Sequence, residues 1–135
     1  MNDTKSYAGL LARILLSILF ITAGYGKLGA AEGTAAYMAS QGVPGLLVWP
    51  TIVLELLGGL AILVGFQTRI VALALAGFSV LAGLIFHLVP GDQMQMISLY
   101  KNLGLAGGFL LLAAHGAGAL SLDALRAGKR RAATA

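Results

Sequence analysis

Five polar side chains stand in or beside long apolar runs of this chain: Lys27, Glu55, His87, Lys101 and Asn102. Ionisable groups among aliphatic residues are expensive to maintain, so they are the first candidates for chemistry. Glu55 is a candidate proton acceptor, and a carboxylate in such surroundings needs either a cation or a proton. Lys27, His87, Lys101 and Asn102 are candidate ligand-binding groups, with the cations as donors to an oxygen-rich ligand. A plainer reading stands beside each. Glu55 paired with Lys27, or with Arg13 from below, would only fix helix register. Either lysine alone would only reach for the membrane surface.

Other chemistries are excluded or weak. There is no Cys, which rules out disulfides, thiolate metal sites and a dithiol relay within the chain. His87 and His115 each lie near the end of a run, and because the two runs cross in opposite directions they fall at opposite faces of the membrane, too far apart to ligate one haem. His87 with Met94 and Met96 makes a weak Cu(I) set. No His/carboxylate group has zinc or di-iron spacing, and no glycine-rich phosphate loop is present. No haem or metal is therefore expected.

The elements that must carry these residues follow from composition. Of 135 residues, 59% are hydrophobic and 10% charged, whereas a soluble domain is about a quarter charged. Four apolar runs, at about 10–27, 46–66, 69–89 and 99–115, are each long enough to cross a bilayer. Backbone groups in lipid must be satisfied internally, and ten-residue alternating segments are missing, so helices are expected rather than a barrel. The expectation is one all-α domain over 1–135, an integral-membrane four-helix bundle. The first run is long for a signal peptide and is read as an uncleaved span. Every run is apolar around its circumference, so periodicity does not choose a buried face.

Charge sets the expected orientation. Four crossings put seven cations on the side of the termini (Lys5, Arg13, Arg69, Arg126, Lys129, Arg130, Arg131) and two, Lys27 and Lys101, on the other. The positive-inside rule then places both termini in the cytoplasm. The basic tail reads as a solvated topology anchor, with anionic-lipid contact as a second role and no role in nucleic-acid binding. Residues 30–41 read as a short helix at the outer interface, ended by Gly42-Val-Pro44-Gly45. Thr68 is the expected N-cap of the third span, and Ser121 that of a short terminal segment carrying Asp123. Lys101 and Asn102 are expected to open the fourth span. Gly104 with Gly108, and Ala61 with Gly65, form small-xxx-small pairs, expected to serve packing within the bundle more than a dimer interface.

An ordered set of motifs then resembles the DoxX family of small bacterial membrane proteins. The set is Arg13 with Gly24-x-x-Lys27; Tyr37 followed by Gly42-Val-Pro44; Glu55-Leu-Leu-Gly58-Gly59 with Gly65-Phe-Gln-Thr68-Arg69; His87; Lys101-Asn102-Leu103; and Gly116 with Ser121-Leu-Asp123. The resemblance implies a bacterial inner-membrane four-helix bundle with both termini cytoplasmic. It also implies association with redox systems, including a thiosulfate:quinone oxidoreductase in which the membrane subunit is linked to quinone reduction. The leading expectation is thus a subunit of a quinone-linked system, not self-sufficient as an enzyme. Its partners would be redox subunits in the bilayer, with a homo-oligomer as a further option. Arg13, Arg69 and Asp123 would be structural polar residues. A non-enzymatic scaffold and a small-solute permease are the alternatives; the gap between Arg13 and the outer cluster argues against the permease.

Overall fold

The computed structural model describes residues 2–135. Helix α1 (Asp3–Gly29) is followed after one residue by α2 (Ala31–Ser40). A 3₁₀ turn, Gly45–Leu47, leads into α3 (Val48–Val64), then α4 (Thr68–His87), α5 (Gln93–His115) and α6 (Leu122–Thr134). Four segments are long and apolar enough to span a membrane: α1, Gly45–Val64, α4 and α5. Their outward faces carry large aliphatic side chains such as Leu15, Leu57, Ile70, Leu81 and Leu111, all exposed, as expected of a lipid-facing surface.

The bundle is two helix pairs, α1 on α3 and α4 on α5, joined mainly through α3 and α4. In lipid, apolar burial does little to hold helices together, and close backbone approach does more. Two glycines supply it between α1 and α3. A Cβ on Gly24 would come 2.8 Å from the backbone N of Leu56, and one on Gly59 would come 3.1 Å from the backbone N of Ile21. The expected Gly104/Gly108 pair behaves differently. A Cβ on Gly104 would meet nothing within 4 Å, and Gly108 meets only Leu16. Mid-bundle, Phe20, Ile62, Leu75 and Phe109 are buried in one apolar cluster, with Phe20 edge-on to Phe109 at 5.4 Å.

The end of the bundle where the termini meet is tied by helix-end chemistry. Helix C-termini leave carbonyls, and N-termini N–H groups, without partners. Fully buried Arg13 donates to Leu63 O (2.8 Å) and Ile62 O (3.3 Å) at the end of α3, and to Leu120 O. Arg69 donates to Ala113 O and Ala114 O at the end of α5. Asp123 accepts from the N–H groups of Gln67 (2.8 Å) and Thr68 (2.9 Å) at the start of α4. Each charge matches the sign of the helix dipole it meets. Burial opposes ionisation of Asp123, but the Thr68 and Gln67 N–H groups and nearby Arg126 outweigh it and hold the carboxyl below its ordinary pKa.

Three expectations are corrected. Thr68 does not cap α4; Gln67 holds the N-cap position at φ 47°, and the capping carboxylate comes from Asp123. The fourth span begins at Gln93, not near Leu99, because Asp92 caps it by accepting from Met94 N–H and Gln95 N–H. Lys101 and Asn102 therefore lie more than two turns inside α5 instead of opening it. Arg13 is also no partner of Glu55, since its bonds go to carbonyls at the terminal end. Ser121 does cap α6, accepting from Ala124 N–H at 3.1 Å.

Candidate functional site

The far end of the bundle, opposite the termini, holds a cavity of about 380 Å³ lined by α1 to α5. The glycine contacts explain its floor. Lys27 lies one turn beyond Gly24, and Glu55 one turn before Gly59, so the close α1–α3 crossing sets the two side chains face to face. Lys27 Nζ donates to Glu55 Oε2 at 2.8 Å and Oε1 at 3.0 Å. Among the described residues this is the only salt bridge. It is asymmetric: the Glu55 side chain is 6% exposed and that of Lys27 27%.

Lys27, Glu55, His87, Lys101 and Asn102 all line this one cavity. The shift of the α5 start places Lys101 and Asn102 in its wall. A Cβ on Gly83 of α4 would lie 3.1 Å from Asn102 Cβ, so this glycine lets α5 bring that pair inward. Lys101 has no hydrogen bond or ion pair among the described residues, which leaves its ammonium free. His87 Nδ1 lies 2.7 Å from Gln95 Oε1, tying the end of α4 to the first turn of α5. Much of the remaining wall is apolar, with Phe20, Phe78, Phe86 and Leu105.

Sequence reading passed over the contribution of α2. Tyr37 stacks on Phe86 with ring centroids 5.6 Å apart and planes at 29°, while Met38 packs with Val48 and Ile52. The interfacial helix therefore forms part of the cavity wall. The adjacent Tyr37 and Met38, the large apolar side chains in an otherwise Ala-rich segment, were the available signal. No group of three or more His, Cys, Asp or Glu residues that could hold a metal occurs among the described residues. The arrangement suits an apolar-bodied ligand with hydrogen-bond acceptors at one end, because the polar groups are few and converge on one side.

The motif blocks from Arg13 to His87 fall within residues 8–88, which the DoxX family model matches. The chain belongs to the DoxX family. This DoxX protein is 51% identical to "Inner membrane protein YqjF" of Escherichia coli (strain K12) over 125 residues, 93% of this chain and 96% of the relative. It is 38% identical to "Inner membrane protein YphA" of the same strain over 121 residues, 84% and 86% of the two chains. It is 33% identical to "Putative oxidoreductase CatD" of Bacillus subtilis (strain 168) over 110 residues, 78% and 82% of the two. No solved structure matches the DoxX chain significantly. With four apolar helices and inner-membrane relatives, it is a DoxX-family membrane protein.

Proposed function

We propose that the far-end cavity receives the headgroup of a quinone, and that the chain is the membrane subunit of a quinone-linked redox system. The carrying observation is a Lys27–Glu55 pair with a buried carboxylate and a partly exposed ammonium, beside an unpaired Lys101, in a cavity that is otherwise largely apolar. A quinone combines a flat ring and apolar tail with two carbonyl oxygens. Phe78, Phe86 and Leu105 suit the ring, while Lys101 and Asn102 can donate to a carbonyl oxygen. Reduction consumes two electrons and two protons. Glu55 with Lys27 can hold and pass a proton at Glu55 Oε; the electrons must come from a reductant on a partner subunit. The word "oxidoreductase" in the name of the Bacillus relative agrees with this class. Both termini are assigned to the cytoplasm on the seven-to-two cation count.

The test is titration of the purified protein with a short-tailed quinone, alongside Glu55→Gln and Lys101→Met. The expected result is saturable binding in the parent and at least about tenfold weaker binding in Lys101→Met, the loss of one charge-assisted hydrogen bond. No binding in the parent, or binding unchanged from the parent in both variants, would sink the proposal. Stoichiometric capture of partner proteins with no quinone binding would instead favour the scaffold alternative.

A further inference from the structure

Helix α6 lies outside the four spans, and its two faces differ. At 100° per residue, Leu122, Leu125, Gly128 and Ala132 fall on one stripe. Asp123, Arg126, Ala127 and Arg130 fall on the other side and border a groove beside Gln67. Attachment to the bundle is confined to the first turns. Asp123 N–H donates to Gly65 O at 2.8 Å, the Asp123 carboxylate caps α4, and Arg126 sits over the Phe66 ring at 5.2 Å. The apolar stripe therefore turns away from the bundle, with Leu122 42% and Leu125 62% exposed.

A 13-residue helix is marginal in water unless something covers its apolar face. Docking at the α3–α4 turn holds this one at the level where the spans end. Beyond Asp123 it has no acidic residue, but carries Arg126, Lys129, Arg130 and Arg131. A short helix with a narrow apolar stripe flanked by cations has the chemistry of an in-plane membrane helix. Lys129 falls within the stripe, between Leu125 and Leu122, where its stem can lie along acyl chains while its ammonium snorkels to the headgroups.

We propose that α6 lies in the membrane–water interface on the side of the termini, with Leu122 and Leu125 in the acyl region and Lys129, Arg130 and Arg131 on acidic phospholipid headgroups. The chain has no cysteine, so Leu125→Cys and Ala127→Cys each create one labelling site. The full chain, carrying an environment-sensitive fluorophore at either position, is reconstituted into phosphatidylcholine vesicles with or without phosphatidylglycerol. A nitroxide-bearing lipid should quench the label at 125 several-fold more than that at 127, with aqueous iodide showing the reverse order. Phosphatidylglycerol should widen the difference, and replacing Lys129, Arg130 and Arg131 together by Gln should abolish that widening while leaving the Asp123 and Ser121 contacts in place. Equal quenching at the two positions overturns the proposal, as does indifference to phosphatidylglycerol. A label at 125 shielded from both quenchers also overturns it, because the cover would then be protein.

Discussion

Removing either member of the Lys27–Glu55 pair should have unequal consequences, and removing both should do less harm than removing the lysine alone. Two unit charges 2.8 Å apart attract by about 6 kcal/mol at an effective dielectric constant of about 20. Much of that is offset by the cost of withdrawing them from water. The offset is uneven, because the carboxylate is 6% exposed and the ammonium 27%, near the end of α1. Lys27→Met strands a buried carboxylate and should cost about 3 kcal/mol. Glu55→Gln leaves an ammonium that can turn toward water and should cost about 1 kcal/mol. In Lys27→Met/Glu55→Gln no charge is stranded, so the total should return to about 1 kcal/mol, a coupling of about 3 kcal/mol. The assay is unfolding of the purified protein in mixed micelles by added SDS, followed by circular dichroism. A double variant at least as unstable as Lys27→Met would refute the reasoning, as would equal effects of the two single changes.

Asp123→Ala should destabilise by about 2 kcal/mol through loss of a charged helix cap, measurable in the same unfolding assay. Because the folded-state pKa of Asp123 is lowered, its contribution is complete above the ordinary carboxylate range. It fades as pH falls through the lowered value, so the gap between parent and Asp123→Asn should close on acidification. Gly24→Ala should cost about 1–3 kcal/mol, since its Cβ would press on the Leu56 backbone. Gly26→Ala, with nothing within 4 Å of its Cβ, should be neutral or stabilise by up to about 1 kcal/mol; equal losses at both sites would show that helix contact is not the cause. Lys101→Met should leave stability within about 0.5 kcal/mol of the parent, which would assign any loss of quinone binding to the cavity.

The four spans and the convergence of the polar residues were legible because charge is scarce and its cost in lipid is high. The buried faces were harder to read, since hydrophobicity carries no signal when the surroundings are also apolar. A different signal was present. On α1 the buried residues are Ser6, Arg13, Ser17, Phe20 and Gly24, and on α4 they include Thr68, Ala72, Ser79 and Gly83. Small and polar residues at three- and four-residue spacing mark much of the inside of this bundle beside a few large apolar ones such as Phe20 and Leu75, while most large aliphatic side chains face out. The start of α5 was missed because Gln93-Met-Gln-Met96 is too polar to read as part of a span; an Asp92 cap decides it locally. The Asp123 cap on α4 was out of reach for another reason. It joins residues 55 apart in sequence, and only the fold brings them together.

Between the two polar ends lies the cluster of Phe20, Ile62, Leu75 and Phe109, with exposures of 0–4%. The serines at that depth do not bridge it, because Ser17 and Ser79 donate to carbonyls of their own helices. Among the described residues, the middle of the bundle therefore offers no polar path between its two ends. Under the proposed function, a proton taken up in the far cavity would be drawn from the compartment that the cavity faces, not conducted through the bundle. Under that proposal, any contribution of the chain to the membrane potential would depend on which side the electrons arrive from.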